Sequence, residues 1–446
     1  MIEFATLFLG LILGPQQVEM LAHDKVAAIE IFLDHQTVGY LNQPPWRLTV
    51  DFGSELAPHV LEAVAFGSSG SEIDRTDQWI NVSTRQTEVS VLVERRPTGD
   101  GMQARVAWEA VTEQLEPESV DIELDGESLE VADPTRFDLP FVDLEQTHIL
   151  RVELLFAGNL EAGAEAVFGG SQTDRVATEL TGVPILLEKR KSVPPVSQMQ
   201  SWFSASGEPL KVRAVDEGRA DIIVVRDLAT IETLRQQAAT GSIIGSRNTY
   251  RLPAGAAVSM GIETSRDALL KKDHELRFVM PAAHQVERQE YRYQLFPPSQ
   301  RFSRQDGSLS WLLASIIPRT ADPQRQRLAD AVAAAGMAAA RSGRRRIVLL
   351  IVGSEPVENS QLTPSATRGF LQRLRVPVVV WTPAAQAEKE GSWGPTVDIS
   401  NRQRLVSAYK ALSKQLDRQR IVWLEGLHLP QTISLTPKAE GIRLVE

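Results

Sequence analysis

Cysteine is absent from all 446 residues of the sequence. Its absence excludes disulfide bonds, thiolate metal sites and cysteine nucleophiles together. It does not identify a compartment, because exported proteins can also lack cysteine. Long apolar segments are missing as well. Beyond the N-terminus, no stretch approaches the roughly 18 consecutive apolar residues of a membrane-spanning helix, so we expect no membrane span after the N-terminal segment.

Acidic residues outnumber basic ones, and the formal net charge is −10 at pH 7. We therefore expect no nucleic-acid partner, because neutralising phosphates requires a basic surface. One basic cluster is present, and it consists of Arg341, Arg344, Arg345 and Arg346. It lies between a predicted helix and a predicted strand, where cations near a helix C-terminus are favourable. We interpret it as a set of capping or solvated side chains rather than as an anion site.

Enzyme motifs are also lacking. The sequence has no Gly-x-Ser-x-Gly elbow, no glycine-rich dinucleotide loop, no Walker loop and no His-Glu-x-x-His. Acidic residues are numerous, but no pair is distinguished by its spacing, although a glycosidase can assemble its two carboxylates from distant segments. We predict no enzyme activity, no catalytic residues and no cofactor, and we retain a carboxylate-based hydrolase as the least favoured alternative.

At roughly 150 residues per domain, this length predicts about three domains. The N-terminus contains an apolar run over residues 4–13, which has the length of a signal-peptide core and is too short to span a bilayer. Glu3, the lack of basic residues and the lack of a clean Ala-x-Ala site disagree with a signal. We predict a possible signal peptide over residues 1–17 and hence export. The alternative is an N-terminal strand or helix of the mature fold.

Residues 18–188 are rich in alternating patterns and turn signals, and they contain an internal repeat. Three strand-like pieces recur with an almost constant offset: 29–34 as 120–125, 46–51 as 137–142, and 59–64 as 148–153. Such regularity indicates two copies of one β module. Their size and their period-two alternation predict two immunoglobulin-like β-sandwiches, over residues 18–84 and 85–188.

His59 and His148 occupy equivalent positions in the two copies. A shared metal site would require the two modules to fold against each other, and neither histidine has local ligand spacing. We therefore predict structural roles for both histidines. Residues 189–200 follow the second copy and contain paired prolines, which favour an extended spacer, so we predict a linker there.

Residues 201–446 alternate strand-like and helix-like segments, which predicts a parallel sheet with helices on both faces. The run 222–225 is wholly apolar, as expected of a strand buried on both faces. It ends at Arg226 and Asp227, where such a strand opens into the crevice that takes ligands in open α/β sheets. The other predicted strands are 276–280, 347–352, 376–381 and 421–424, with a closing β pair over 433–435 and 442–444. The predicted helices are 228–239, 322–341, 363–374 and 401–416.

The stretch 220–230 resembles the first strand of a von Willebrand factor A-type domain. The pieces 346–353, 374–381 and 416–430 resemble the fourth, fifth and sixth strands of that domain with their flanking helices. The resemblance covers roughly residues 220–430 and points to divergent bacterial von Willebrand factor A-related proteins, some of which carry Ig-like modules before this domain. It implies a doubly wound, Rossmann-type domain over residues 201–446. In the family, the first strand is followed by Asp-x-Ser-x-Ser, which holds a divalent metal.

That metal-binding pattern is broken here. In one frame the three positions are Arg226, Leu228 and Thr230, and in the other they are Asp227, Ala229 and Ile231. The family's aspartate after the fourth strand is also missing, and the aligned residues are Ile351, Val352 and Gly353. Because ligand number decides the affinity for a hard cation, we predict a degenerate site without metal. Two alternatives stay open: a weaker site of Asp227 with Glu355, or a salt bridge of Arg226 with either.

The sequence therefore predicts a non-enzymatic, extracytoplasmic protein-binding or adhesion scaffold with a degenerate A-type domain. Its partner would be a protein that contacts the top face of this domain through charge and shape rather than through a bridging cation. The candidate top-face residues are Arg226, Asp227, Thr230, Asp306, Ser308, Ser354 and Glu355. The alternative is a purely structural subunit of a cell-surface assembly, in which the domain has kept only its fold.

Overall fold

The structure, a computed structural model, describes the chain except for residues 1, 7, 9, 83–86, 97–100, 111–115, 157–159, 171–178, 189–191, 240–247, 252–256, 261–267, 283, 286–292, 317–322 and 385–389. The chain divides into two compact units, Met1–Thr84 and Arg85–Glu446. The first unit is a β-sandwich, and the second unit contains another β-sandwich together with an α/β domain. No helix in the described part of the chain is long and apolar enough to cross a membrane.

Seven strands form the first unit: β1 (Ile2–Phe4), β2 (Pro15–Ala22), β3 (Ala28–Leu33), β4 (Gln36–Leu41), β5 (Arg47–Asp51), β6 (His59–Phe66) and β7 (Glu72–Ile80). They make two antiparallel sheets with the strand orders β1-β2-β5 and β4-β3-β6-β7. Strand side chains have a period of two, so alternate residues of each sheet face the other sheet. The core between the sheets includes the buried side chains of Val18, Ile29, Ile31, Val50 and Leu61.

The apolar N-terminal run belongs to this sandwich. β1 pairs with β2 at Ile2 and Ala22, and the side chains of Ile2 and Phe8 are buried in the core. Phe8 packs edge-on against Phe52, with the ring centroids 5.4 Å apart. The described residues of this run therefore pack with the sandwich, and the signal peptide over residues 1–17 stays a prediction.

Seven strands also form the second sandwich: β8 (Thr87–Arg95), β9 (Met102–Ala110), β10 (Ser119–Leu124), β11 (Glu127–Ser128), β12 (Arg136–Asp138), β13 (Thr147–Phe156) and β14 (Leu160–Gly169). Their orders, β8-β9-β12 and β11-β10-β13-β14, reproduce those of the first sandwich strand for strand. The register agrees too, because Ile31 lies opposite Ala63 and the equivalent Ile122 lies opposite Val152. The two copies of one antiparallel β-sandwich that the repeat predicted are confirmed.

The two equivalent histidines hold the same turn in both sandwiches. His59 Nδ1 lies 2.7 Å from Asp34 Oδ2, and the other carboxylate oxygen of Asp34 accepts from the Val60 backbone N–H at 2.9 Å. His148 and Asp125 repeat these two contacts at the same distances. Asp34 and Asp125 both have positive φ, so each pair ties a left-handed turn to the start of the next sheet strand. The structural roles predicted for both histidines are confirmed.

The rest of the second unit begins with β15 (Leu180–Leu187), α1 (Val196–Met199), β16 (Phe203–Ala205), β17 (Glu208–Pro209), β18 (Val212–Asp216), β19 (Ala220–Arg226) and α2 (Ile231–Ala239). It continues with β20 (Asn248–Arg251), β21 (Ala257–Met260), β22 (His274–Val279), β23 (His284–Gln285), β24 (Tyr293–Gln294), α3 (Leu309–Ser315) and α4 (Leu328–Arg341). The final elements are β25 (Arg345–Ile351), α5 (Pro364–Arg373), β26 (Val378–Thr382), β27 (Glu390–Gly391), β28 (Gly394–Asp398), α6 (Arg402–Asp417), β29 (Gln419–Glu425), β30 (Ile433–Leu435) and β31 (Ile442–Leu444). The helix start predicted at residue 322 lies outside the described residues.

A parallel sheet with the order β22-β19-β25-β26-β28 forms the centre of the α/β domain, and the short β27 pairs antiparallel at one edge. In chain order this is 2-1-3-4-5, a doubly wound sheet. Ile222 and Val224 of β19 face the core formed with α2, α3 and α6, while the alternate residues Ile223 and Val225 face the side that α4 covers. All four side chains are buried. The α/β class predicted for this part of the chain is confirmed.

A local signal in the sequence fixes the start of α5. Thr363 Oγ1 accepts from the Ala366 N–H at 3.1 Å, and Pro364 occupies the first helical position of α5. Further along, Gly336 of α4 permits close packing of α5, because a Cβ at this position would lie 2.6 Å from side-chain atoms of Leu371. Together these features place α5 against α4 and leave β25 covered on that side.

A separate antiparallel sheet with the order β18-β29-β15-β31 differs from the prediction. β29 covers the predicted strand 421–424 and lies in this sheet instead of the parallel one. β15 pairs with β29 over its whole length, so residues 180–187 belong with the C-terminal part and not with the sandwich predicted to end at residue 188. The cause is a shared apolar core, in which Val183 and Ile185 pack with Val422 and Leu424.

Two smaller predictions near this sheet are also wrong. β30 and β31 do not form a closing pair, because β30 pairs with β16 and β31 pairs with β15. Of the predicted linker, residues 196–199 form the helix α1 instead of an extended spacer. Met199 of α1 is fully buried in the same apolar core, where Trp202 and Phe203 also pack. Residues 189–191 of that linker lie outside the described residues.

We predict a pH dependence that originates at His148. Burial alone would lower its pKa, but hydrogen bonds to Asp125 and to the Asp143 carbonyl outweigh burial and raise the pKa above 6.5. A raised folded-state pKa stabilises the fold below the unfolded pKa, and this contribution is lost as the pH rises through the folded value. The free energy of unfolding, measured by urea titration, should therefore fall between about pH 6 and about pH 8.

The control is His148→Gln, which cannot titrate. The difference in unfolding free energy between the wild type and this variant should shrink as the pH rises. A difference that stays constant or grows with pH would contradict the prediction.

Candidate functional site

The carboxyl end of β19 is where a doubly wound sheet takes a ligand, and Arg226 stands there. Its guanidinium is buried and donates to the backbone carbonyls of Leu313 and Ile316 at the end of α3. It also lies 5.6 Å from the ring centroid of Phe278. Burial lowers the pKa of Arg226 to about 9. Arg226 therefore holds α3 against the sheet and is not accessible to a partner.

Asp227 is fully buried, and hydrogen bonds satisfy both oxygens of its carboxylate. Oδ1 accepts from the Ala229 N–H at 3.0 Å and from Gln326 Nε2 at 2.8 Å, while Oδ2 accepts from the Gly353 N–H at 3.1 Å. The amide oxygen of Gln326 in turn accepts from the Leu228 N–H at 3.0 Å. Asp227 thus connects the loops that follow β19 and β25. A carboxylate at the expected metal position serves here as a structural acceptor.

The loop after β25 is held at the N-terminus of α4. The carboxylate of Glu358 accepts from the backbone N–H groups of Leu328 and Ala329 at 3.1 and 3.2 Å. It therefore occupies the position at which a helix N-terminus attracts an anion. Asp330 accepts in return from the Leu362 N–H at 3.1 Å. These contacts close the crevice from the side of α4.

Thr230 and Ser308, two more of the predicted top-face residues, are buried. The hydroxyl of Thr230 donates to the backbone carbonyl of Asp227 at 2.6 Å. Ser308 is the N-cap of α3, and its hydroxyl accepts from the Trp311 N–H. Both hydroxyls complete local backbone structure instead of facing solvent.

Asp306 is half-buried and accepts from the backbone N–H of Ser303 at 2.7 Å. Ser354 and Glu355 are the members of the predicted set that are exposed. The prediction of one accessible face made of all seven residues is therefore wrong. Its physical reason is that the polar groups at the strand ends satisfy buried backbone groups, which would otherwise destabilise the fold.

The salt bridge left open for Arg226 does not form either, because its guanidinium donates to carbonyl groups and contacts neither Asp227 nor Glu355. Within the described residues, no three His, Asp or Glu side chains are grouped so that they could hold a metal ion. Sequence analysis missed Gln326 and Glu358, which complete the crevice. Both lie in irregular segments where no spacing distinguishes them.

The largest concentration of charge lies elsewhere, on the outer surface of the second sandwich. We call it the acidic face, and it consists of Asp121, Glu123, Glu153, Glu161 and Glu165 on β10, β13 and β14. Intervening residues such as Ile122 and Val152 point into the core, so the period of two places all the carboxylates on one side. This face packs against the α/β domain.

The α/β domain supplies the opposite charges, and Arg344 is the most deeply buried of its arginines. Its guanidinium lies 3.2 Å from Glu123, 2.9 Å from Glu153 and 2.7 Å from Glu275. Arg301 approaches Glu153 to 2.5 Å as well. Each of these two arginines contacts carboxylates from more than one strand. The resulting network fixes the orientation of the sandwich on the domain.

Further contacts extend the interface on both sides. Arg219 lies 2.9 Å from Glu123, and Arg277 lies 2.7 Å from Glu161. Arg151 of the sandwich reaches in the other direction and donates to Asp216 at 2.9 Å. Beside the charges lies an apolar patch that is formed by Ile149, Val167, Ala214, Ile421 and Trp423.

Burial and charge oppose each other within this network. Burial would raise the pKa of Glu153, but Arg301 and Arg344 outweigh it and hold that pKa far below its usual range. At Glu123 the effect of burial exceeds that of the surrounding arginines, so the pKa of its carboxyl is raised. Buried ions of this kind are costly to desolvate and depend on their partners. The network therefore makes the two domains strongly interdependent.

The basic cluster of the sequence takes part in this interface. Arg345 and Arg346 donate to the carbonyls of Leu416 and Ala340, in the last turns of α6 and α4. The predicted capping role is thus confirmed for these two arginines, whereas the solvated role is wrong, because Arg344, Arg345 and Arg346 are all buried. Burial lowers the pKa of Arg346 to about 10.

No family model matches the chain, and no curated protein matches it either. Among solved structures, fibronectin(III)-like modules of Clostridium thermocellum CbhA match at 13% identity over 18% of this chain and 93% of theirs, with a TM-score of 0.17. The central fibronectin-III array of RIM-binding protein matches at 7% identity over 41% of this chain and 74% of its own, with a TM-score of 0.19. A β-glucuronidase from glycoside hydrolase family 2 matches at 9% identity over 48% and 31%, with a TM-score of 0.18.

We predict that Arg344→Met lowers the free energy of unfolding of the second unit by about 3–5 kcal/mol, because it leaves Glu123, Glu153 and Glu275 buried without their shared cation. Urea unfolding followed by tryptophan fluorescence measures the loss. The matched control is Arg404→Met, since Arg404 pairs with Asp398 at the surface. That change should cost at most about 1 kcal/mol. Equal losses in the two variants would contradict a dominant role for the buried network.

We also predict that Asp227→Asn destabilises the fold by about 1–3 kcal/mol, because an amide donor then faces a backbone N–H that the carboxylate had satisfied. The control Glu355→Gln changes an exposed carboxylate and should stay within about 0.5 kcal/mol. Urea unfolding measures both. Unchanged or increased stability in Asp227→Asn would indicate a carboxylate kept for ligand binding instead of for structure.

Proposed function

We propose that this chain is a non-enzymatic protein-binding scaffold outside the cytoplasm, built on a degenerate A-type domain that binds no metal. The observation that carries the proposal is the filled crevice at the carboxyl ends of β19 and β25. A doubly wound sheet takes its ligand there, and here Gln326 and Gly353 both donate to Asp227 across it. Polar groups that hold the fold together favour binding through other surfaces over catalysis in this crevice.

The interface between the second sandwich and the α/β domain supports the scaffold part of the proposal. It combines an apolar patch with buried ion pairs around Arg344, and such pairs tolerate little displacement. The sandwich therefore has a fixed orientation on the domain. A sandwich with a fixed orientation on the α/β domain suits a protein that presents a surface to a partner.

The A-type assignment and the location belong to the proposal as well. The buried first strand with Asp227 at its end and the helices on both faces support the assignment, while β29 departs from the family pattern because it lies in a separate sheet. The location outside the cytoplasm rests on the paired β-sandwiches, an architecture shared by many cell-surface domains.

A purely structural subunit is the second candidate. The burial of Arg226, Asp227, Thr230 and Ser308 favours it, because few polar groups of the top face remain for a partner. In this candidate the domain retains only its fold, and the sandwiches make the contacts within an assembly.

Affinity capture with the full chain distinguishes the two candidates. A scaffold without metal should retain the same partner protein with and without a chelator. Glu355→Arg should then lower the captured amount about tenfold if the exposed part of the top face binds, since a like or unpaired charge at an interface costs over 1 kcal/mol. The control is Glu440→Arg, which makes the same charge change in the exposed segment between β30 and β31.

Loss of capture on chelation would contradict the metal-free proposal. Capture that Glu355→Arg leaves unchanged would move the contact away from the top face to another surface of the chain.

A further inference from the structure

The internal repeat makes a comparison possible between two equivalent surfaces. In the second sandwich, the acidic face lies on the outer side of β10, β13 and β14 and packs against the α/β domain. The first sandwich has the same strands in the same register. Glu30 lies opposite Val64, and at the equivalent positions of the second copy Asp121 lies opposite Glu153. Val64 in turn lies opposite Arg75 on the next strand. The outer side of β3, β4, β6 and β7 is therefore the equivalent surface.

This surface, which we call the first-module face, is also acidic. Its carboxylates are Glu30, Glu62, Glu72 and Asp77, and its one arginine is Arg75. Arg75 lies 3.3 Å from Glu62 and 3.2 Å from Glu72, in the way that Arg151 lies among the carboxylates of the second copy. Four carboxylates against one arginine leave an excess of negative charge on the face.

The first-module face also carries apolar groups. Tyr40 lies opposite Glu30 and is 59% exposed, which is high for a large aromatic side chain on a sheet. Phe32 and Trp79 are half-buried on the same side. Trp79 lies opposite Val60. The equivalent opposite pair in the second copy is Val167 and Ile149, which belong to the apolar patch that contains Trp423.

The two faces share part of this pattern. Asp121 and Glu161 of the second copy occupy the positions of Glu30 and Glu72. Both carboxylates pair with arginines of the α/β domain, which are Arg219, Arg277 and Arg301. Phe32 and Val64 stand where Glu123 and Glu153 hold Arg344. Carboxylates favour arginine over lysine because the guanidinium can form two parallel hydrogen bonds. Charge complementarity then indicates what the equivalent face of the first copy binds.

We propose that the first-module face binds a partner protein through a surface of clustered arginines beside an apolar centre. The inference rests on the proposed binding function and names both the surface and the chemistry of the partner. Tyr40, Phe32 and Trp79 contact the apolar centre, and the excess carboxylates pair with the arginines. The α/β domain uses the acidic face of the second copy as its own support.

The test uses the full chain and two fluorescein-labelled peptides, one with four arginines alternating with leucine and one with lysine at the same positions. Fluorescence anisotropy should show binding of the arginine peptide about tenfold tighter than that of the lysine peptide, because of the two-bond geometry. Asp77→Lys should weaken arginine-peptide binding about tenfold. Glu19→Lys makes the same charge change on β2, in the opposite sheet, and should have little effect.

Tyr40→Ala is a second variant, which removes an exposed side chain and should weaken binding without loss of stability. Equal binding of the two peptides, or equal losses in Asp77→Lys and Glu19→Lys, would overturn the proposal, since both indicate unspecific attraction to an acidic protein. A dimer of the full chain that dissociates in Asp77→Lys by sedimentation velocity would also overturn it, because the occupant would be a second copy. The capture experiment with Glu355→Arg does not depend on these peptides, so the proposed function can stand where this inference fails.

Discussion

The layer of buried charge between the second sandwich and the α/β domain is the constraint on which the second unit depends. Arg344 sits at its centre with carboxylates from both domains around it. Buried ions stabilise little in net terms, since desolvation offsets attraction, but loss of one partner is severe. The layer therefore acts mainly on geometry. It accepts one arrangement of the second sandwich and the parallel sheet and penalises others.

In the crevice of the parallel sheet, buried charged groups also determine the geometry of the fold. Asp227 lies after β19 and Glu358 lies at the N-terminus of α4, and both carboxylates accept from backbone N–H groups of the chain itself. Their charges therefore stabilise the fold. The filled crevice agrees with the proposed scaffold, which binds its partner through other surfaces.

The sequence predicts those features that depend on neighbouring residues. Period-two alternation identifies both sandwiches, and the recurrence of His59 and His148 identifies equivalent turns, because the Asp–His pairs form within one module. It does not assign β15 and β29 to their sheet, because an apolar strand does not specify a distant partner. It also cannot show that Arg226 and Asp227 are buried, since their surroundings include α3 and Gln326, which lie far along the chain.

The sheet that contains β15 and β29 has a consequence for the order of folding. The Thr181 hydroxyl donates to the Gly426 carbonyl, 245 residues further along the chain. Closing so long a loop has a large entropic cost, and folds dominated by such contacts form slowly. The sandwich just before β15 consists of neighbouring hairpins and needs no such closure. During synthesis it can therefore form first, while β15 presents an unpaired apolar edge until β29 and β31 emerge, and this interval is the period in which the chain most needs protection from aggregation.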